Sequence, residues 1–161
     1  MHPEQPFDED RVDRLQLARR DPFVEDPLPE VLVAGPPRDQ AVAVLHEVED
    51  LAPRIHPLLH VSEIRTMAAD DLWLSGAYGR DTVGIHFTWQ RRPEVLSILA
   101  DLDAVFAQRG GRPHWGKLYD VPPRSMVERY PRFGDFATLV GDVDPTGTFR
   151  NRTLDALLSP S

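Results

Sequence analysis

An alternation of apolar and polar residues over Thr82–Trp89 is the clearest structural signal in the chain. Successive side chains of a strand point to opposite faces of a sheet, so one face of this strand is apolar. The apolar row consists of Val83, Ile85, Phe87 and Trp89. A second strand is predicted at Val61–Thr66, and the turn-rich residues 68–80 predict that the two strands pair as an antiparallel hairpin.

Two stretches with helical spacing flank this hairpin. Apolar residues recur at three- and four-residue intervals from Ala41 to Leu51 and from Val95 to Phe106, and Pro93 opens the second helix. Short strands are predicted at Val31–Val33 and His114–Leu118. The order β-α-β-β-α-β predicts an α+β fold, an antiparallel sheet with a split β-α-β (ferredoxin-like) core and both helices on one face.

The two ends of the chain have less regular patterns. Residues 1–30 hold five prolines among dense charge, which predicts an irregular arm whose only helical stretch is residues 11–20. Short C-terminal helices are predicted near residues 125–129 and 135–140. We therefore expect one folded domain over residues 31–161, preceded by the arm.

Composition narrows the class of protein. A chain of 161 residues, 41% of them hydrophobic, is long enough for one domain with a real core. The net charge of -8 argues against nucleic acid or an anionic membrane as a partner. The chain has no cysteine and no apolar run of the about 20 residues that span a bilayer. We expect no transmembrane segment and a cytoplasmic protein.

The polar face of the predicted hairpin is the first candidate for chemistry. Strand parity places Glu63 and Arg65 beside His86 and Thr88. A carboxylate, a cation, an imidazole and a hydroxyl on one surface form a candidate binding site. The alternative is an ordinary solvated face, which antiparallel sheets commonly have.

The segment His114-Trp-Gly-Lys117 is the second candidate. Gly116 is expected to leave room beside the backbone, so that Lys117 brings a compact positive charge close to a planar ligand. The alternative is a surface lysine beside a packed tryptophan. Arg109, at the end of the second helix, is expected to be exposed and uninvolved.

Other motifs in the sequence are incomplete. Asp142, Asp144 and Gly147 mimic the start of a calcium loop, but Thr153 stands where the bidentate glutamate belongs. A turn that caps a helix is predicted there instead. The histidines lack the spacing of metal ligands, so we predict no metal site. The sequence contains no glycine-rich nucleotide-binding loop.

Five segments, in order along the chain, carry a resemblance to a known family. They are Glu63-Ile-Arg-Thr66, His86-Phe-Thr-Trp89, His114-Trp-Gly-Lys117, Tyr130-Pro-Arg132 with Asp135-Phe136, and Asp144-Pro-x-Gly-x-Phe-x-Asn151. Over about residues 38–158, the chain resembles the C-terminal substrate domain of the FAD-dependent sugar-1,4-lactone and alditol oxidases, within the vanillyl-alcohol oxidase superfamily.

This resemblance implies oxidation of a polyol or sugar lactone, in which hydride passes to FAD and O2 is reduced to hydrogen peroxide. The implied substrate-binding residues are Glu63, Arg65, Thr88 and Lys117. The implied catalytic residues are Arg65, Lys117 and His86. The implied FAD contacts are His114, Lys117 and Asn151.

The FAD-binding domain of that family, with its glycine-rich pyrophosphate loops, has no counterpart in this chain. The resemblance therefore implies that FAD is bound mainly by a domain absent from the chain, which was deleted, is encoded separately and supplied in trans, or was lost to a truncated gene prediction. Two other readings stay open. The chain is either a polyol-binding module without redox chemistry or a module that docks on a separate FAD-domain chain.

Overall fold

The computed structural model describes residues 30–90 and 92–159. The arm predicted at residues 1–30, with its helical stretch, lies outside the described residues except for Glu30, which begins the first strand. The strands are β1 (Glu30–Ala34), β2 (Leu59–Met67), β3 (Thr82–Trp89) and β4 (Arg112–Pro113).

These four strands form one sheet in the order β2-β3-β1-β4. Each neighbouring pair is antiparallel. β1 therefore lies between β3 and β4, as a split β-α-β arrangement requires. The predicted α+β class and its split β-α-β core are confirmed.

Two main helices join the strands and build the core with β3. α1 (Ala41–Asp50) is followed by the short α2 (Ala52–Ile55), and α3 (Val95–Gln108) connects β3 to β4. The core residues shared by these elements are Val44, Val83, Ile85, Phe87, Trp89, Ile98, Leu99, Leu102 and Phe106. The apolar row of β3 thus faces the helices, and its polar row faces the other way, as the alternation predicts.

The strand predicted at His114–Leu118 is wrong. The last strand is the two-residue β4, and His114 begins a turn in which Lys117 N–H donates to the His114 carbonyl at 3.1 Å. Gly110, with a φ of 69°, reverses the chain directly after α3, so pairing with β1 begins as early as Arg112. Pro113 has no N–H with which to continue the ladder.

Arg109 is not the exposed residue that the sequence predicts. Its guanidinium is half-buried, and its Nε donates to a carboxylate oxygen of Glu47 on α1 at 3.1 Å. The contact ties the end of α3 to α1. Local helical periodicity predicts no partner 62 residues away in sequence.

Three short helices follow β4 and enclose a second, smaller core. They are α4 (Pro123–Glu128), α5 (Phe133–Val143) and α6 (Arg152–Leu158). This core contains Val121, Met126, Tyr130, Phe133 and Leu157. The short helices predicted near residues 125–129 and 135–140 are confirmed. No helix in the described ranges is long and apolar enough to span a membrane.

Candidate functional site

The polar face of the β2–β3 hairpin brings together three of the predicted site residues. Glu63 lies opposite His86 in the strand register, and its Oε2 lies 3.1 Å from His86 Nδ1. The same oxygen accepts a hydrogen bond of 2.6 Å from Arg65 Nη2. Glu63 therefore links an imidazole and a guanidinium on one face, where strand parity predicts them.

Exposure of these side chains increases towards the edge of the sheet. The side chain of His86 is 13% exposed, that of Glu63 43% and that of Arg65 67%. Thr88, two residues beyond His86 on β3, is buried. A ligand that approaches from solvent therefore meets Arg65 and Glu63 first, with His86 and Thr88 lying deeper.

The charge state of Glu63 follows from its two partners. The hydrogen bond with His86, and next the positive charge of Arg65, hold the pKa of Glu63 below its ordinary value. Glu63 is therefore ionised at neutral pH. Because an ionised carboxylate only accepts hydrogen bonds, the proton in the contact with His86 is carried by Nδ1 of the imidazole.

The strand that carries Glu63 and Arg65 is open to solvent on both faces. Its residues on the helix side are Ser62, Ile64 and Thr66, and all three are exposed. Ile64 is 58% exposed although its register partner Ile85 is buried in the core. The helices thus cover β3 and leave β2 uncovered.

His114 and Lys117 lie on a different element, the turn that follows β4. β1 and β3 separate β4 from β2 in the sheet. Gly116 N–H donates to His114 Nδ1 at 3.0 Å, and a β-carbon at Gly116 would lie 3.4 Å from the His114 ring. The room beside Gly116 is therefore taken by this imidazole, where the sequence predicts space for a ligand. The predicted site residues therefore lie in three places, on the β2–β3 hairpin, in the turn after β4 and, for Asn151, at the start of α6.

Asn151 has a local structural role at the start of α6. Its side-chain oxygen accepts a hydrogen bond of 2.9 Å from Leu154 N–H, which makes it the N-cap of that helix. In the preceding turn, Asp144 accepts from the N–H groups of Thr148 and Phe149 at 2.7 and 3.0 Å. This segment is a capping turn, as predicted. In the described part of the chain, no three histidine or acidic side chains gather as a metal-ligand group.

Arg112 is a buried residue that sequence reasoning passes over. It is 6% exposed, and its guanidinium donates to three carbonyls. These acceptors are Tyr78 at 2.8 Å, Arg129 at 2.9 Å and Gly76 at 3.2 Å. Tyr130 adds a hydrogen bond from its hydroxyl to the Pro113 carbonyl. Together these bonds fix the backbone just before His114.

Asp103 is a second buried polar residue, and it is not among the predicted site residues. Its carboxylate accepts a hydrogen bond of 2.5 Å from Asp120 N–H, and burial raises the pKa of Asp103 to about 6. The helical spacing of Asp103 in the sequence already indicates that it is buried. Asp103 lies four residues after Leu99 and three before Phe106, which places a carboxylate on the buried side of α3.

Comparison with known proteins decides the family. Residues 34–157 match the family described as D-arabinono-1,4-lactone oxidase. The chain belongs to this family. An alditol oxidase from Streptomyces sp. (strain IKD472 / FERM P-14339) is 39% identical over 123 residues, which are 76% of this chain and 30% of the relative. The resemblance seen in the sequence motifs is confirmed.

Two further relatives of the chain are named after enzymes that act on L-gulono-1,4-lactone or L-gulonolactone. An L-gulono-1,4-lactone dehydrogenase from Mycobacterium tuberculosis (strain CDC 1551 / Oshkosh) is 34% identical over 125 residues, 77% of the chain and 29% of the relative. An L-gulonolactone oxidase from Scyliorhinus torazame is 30% identical over 126 residues, 74% of the chain and 28% of the relative. The chain thus spans about 30% of the length of each of these three relatives.

Members of this family are flavoproteins. The guanidinium of Arg65 is exposed, and Arg65 and Lys117 carry donor groups of the kind that would suit the electron-rich edge of a flavin ring. The side-chain oxygen of Asn151 caps α6, so its amide nitrogen is the group that would meet the cofactor. The sequence has no glycine-rich loop for the pyrophosphate. The donor groups of these residues would therefore suit the ring of FAD, and the sequence offers no such loop for its phosphates.

Proposed function

We propose that this chain is the substrate-binding part of an FAD-dependent oxidase acting on CH–OH groups of alditols or aldono-1,4-lactones. The overall reaction converts the carbinol and O2 into a carbonyl compound and hydrogen peroxide. When bound, FAD would supply the acceptor for the hydride of the carbinol carbon. The observation that carries the proposal is the Glu63–His86–Arg65 group on the open face of the hairpin.

Glu63 and Arg65 are suited to the hydroxyl groups of such a substrate. Both contacts of the Glu63 carboxylate use Oε2, so Oε1 is the atom proposed to accept a hydrogen bond from a substrate hydroxyl. The guanidinium of Arg65 has five N–H donors, and only one bond to Glu63 is described. The remaining donors are proposed to bind the oxygen of a neighbouring hydroxyl. Thr88, deeper on the same face, would bind another.

The proposed catalytic contribution of Arg65 and Lys117 is electrostatic. Removal of hydride from a carbinol becomes easier as its oxygen gains alkoxide character, and fixed cations stabilise that charge as it develops. Arg65 would act from β2 and Lys117 from the turn after β4. His86 would line the site behind them, with its ring oriented by Glu63.

The experiment that tests this proposal fuses the chain to the remaining part of the Streptomyces alditol oxidase. Arg65→Met and Lys117→Met keep much of the aliphatic volume and remove a cation. Each should slow anaerobic reduction of the flavin by polyols roughly a hundredfold, because loss of one preorganised donor costs about 3 kcal/mol. Calorimetric titration of the same fusions with a polyol should show whether binding weakens as well.

Arg92→Met is the matched control for Arg65→Met. Arg92 is exposed and bonded to Glu94 two residues away at 2.6 Å, as Arg65 is to Glu63, but it lies outside the hairpin. The Arg92→Met fusion should reduce its flavin at the same rate as the parent fusion. If Arg65→Met and Lys117→Met also reduce the flavin at the parent rate, the site assignment is wrong and the hairpin presents an ordinary solvated face.

A second function is favoured by the uncovered strand β2, whose residues Ser62, Ile64 and Thr66 are exposed. In this alternative the chain is a non-catalytic module that binds a polyol or docks on a separate FAD-domain chain. Mixing the unfused chain with the remaining part of the alditol oxidase separates the two. Peroxide formation from the mixture supports an oxidase assembled in trans, whereas a stable complex without peroxide supports the module.

A further inference from the structure

The outer strand β2 has one open edge. Within residues 30–90 and 92–159 it pairs only with β3, so its far edge presents backbone N–H and C=O groups to solvent. The edge is nine residues long, whereas β4 at the other end of the sheet has only two. A long open edge is a template for pairing with another strand.

The sequence of β2 is complementary to itself about Ile64. If two copies of β2 pair antiparallel with Ile64 opposite Ile64, Glu63 of each copy lies opposite Arg65 of the other. Ser62 then lies opposite Thr66. The two-fold axis repeats each contact, so two pairs of opposite charge form at once.

The two faces of such a pair match as well. Residues directly opposite each other in an antiparallel ladder share a face, so both charge pairs lie on the polar face of the hairpin. The two Ile64 side chains meet on the helix side, where each is now 58% exposed. Val61, 50% exposed, lies opposite Met67 in the same register. Pairing therefore buries apolar surface on both faces.

We propose that β2 docks on β2 of a second copy of this chain, antiparallel and with the two-fold axis at Ile64. The two four-stranded sheets then become one continuous sheet. Each Arg65, now bonded to Glu63 of its own strand, gains Glu63 of the second copy on the neighbouring strand. This dimer rests on the strand alone and does not depend on the proposed oxidase chemistry.

Charge reversal tests the register in solution. Arg65→Glu places two glutamates opposite each other at both symmetry-related positions, so the dimer should be about tenfold weaker by sedimentation equilibrium. Adding Glu63→Arg to Arg65→Glu restores both pairs with their signs exchanged and should restore the parent affinity. Arg92→Glu, which reverses a charge in the similarly exposed Arg92–Glu94 pair, should leave the dimer unchanged.

Disulfide trapping tests the position of the axis. The chain contains no cysteine, so a single introduced cysteine reports only on its own position. Ile64→Cys should form a covalent dimer on mild oxidation, because opposite Cα atoms in an antiparallel pair are about 4.5–5.5 Å apart, within disulfide range. Ser62→Cys should not, because it lies opposite Thr66. A mixture of Ser62→Cys and Thr66→Cys chains should form the mixed dimer.

Three results would overturn the proposal. One is a chain that stays monomeric at every concentration, and another is a dimer that Arg65→Glu does not weaken. The third is a dimer in which Ser62→Cys cross-links as fast as Ile64→Cys. If the chain is monomeric but binds the remaining part of the alditol oxidase, and Arg65→Glu abolishes that binding, the open edge of β2 is the binding surface for that part and not for a second copy. The rate of flavin reduction in the fusion protein is measured separately. The presence or absence of the dimer therefore does not decide whether the proposed oxidase function is correct.

Discussion

At the scale of single residues, Asp103 is the carboxylate whose environment departs most from water among residues 30–90 and 92–159. Its side chain lies on the buried side of α3 and accepts a hydrogen bond from Asp120 N–H, in the segment that leads to α4. Burial outweighs this hydrogen bond and the attraction of Arg129, so the pKa of Asp103 rises to about 6. The contact joins the main core to the segment that leads to α4, and the burial of the carboxyl disfavours its ionisation.

Asp103 should make the fold lose stability as the pH rises from about 4 to about 6. Its pKa is about 6 in the fold against an ordinary 3.8, so over this window the native state keeps a proton that the unfolded chain releases. Below the window both states are protonated. Above it the loss is complete and amounts to roughly 3 kcal/mol for a shift of this size. Urea unfolding at a series of pH values measures it.

The control for this slope is Asp103→Asn, which keeps an acceptor for Asp120 N–H and cannot ionise. Glu63 and Asp135 have lowered pKa values, so they contribute slopes of the opposite sign in parent and variant alike. The difference in unfolding free energy between parent and variant isolates Asp103. A difference that stays constant between pH 4 and 6 would show that the carboxyl titrates normally.

At the scale of elements, Arg112 connects β4 to two other segments of the chain. Its guanidinium donates to the carbonyls of Gly76 and Tyr78 in the loop after β2 and to that of Arg129 after α4. The planar guanidinium spreads five donors over three nitrogens and so reaches carbonyls on two segments at once, whereas a lysine ammonium has three donors on a single nitrogen. Arg112 therefore positions the turn that carries His114 and Lys117.

Replacing Arg112 by lysine should destabilise the fold by about 2–4 kcal/mol. The charge is kept, but buried carbonyls lose their donors, and each unsatisfied group costs roughly 1–3 kcal/mol. Urea unfolding at neutral pH measures the loss, and Arg92→Lys, at an exposed position, should stay within about 0.5 kcal/mol of the parent. An Arg112→Lys chain as stable as the control would mean that these three hydrogen bonds contribute little.

The elements that sequence reasoning predicts correctly are those with strong local patterns. The alternation over Thr82–Trp89 matches β3 residue for residue, and the periodic stretches match α1 and α3. The last strand is misplaced because its position depends on pairing between β1 and β4, not on alternation within His114–Leu118. The burial of Arg112 is missed for a related reason, since its acceptors lie 17 to 36 residues away in sequence.

At the scale of the whole molecule, the sequence predicts the part of the candidate site on the β2–β3 hairpin. It does not predict how Lys117 lies relative to that part. Glu63, Arg65 and His86 meet because strand parity and a hairpin register bring them together, and both follow from sequence. The relation of Lys117 to that group depends on the order of all four strands. A flavin cofactor is expected only because members of the family are flavoproteins. No local pattern of residues in this sequence predicts flavin binding by itself.

The chain purified alone should be colourless and should form no peroxide from xylitol or sorbitol. The contacts proposed for this chain involve only the flavin ring, and the sequence contains no glycine-rich pyrophosphate loop, so we expect too few contacts with the cofactor for tight retention. Incubation with FAD, gel filtration and an absorbance spectrum of the protein fraction measure retention, and a peroxide assay with each polyol measures turnover. The fusion with the remaining part of the alditol oxidase, treated identically, is the positive control and should be yellow. A yellow fraction from the unfused chain would show that its own residues hold FAD without a second domain.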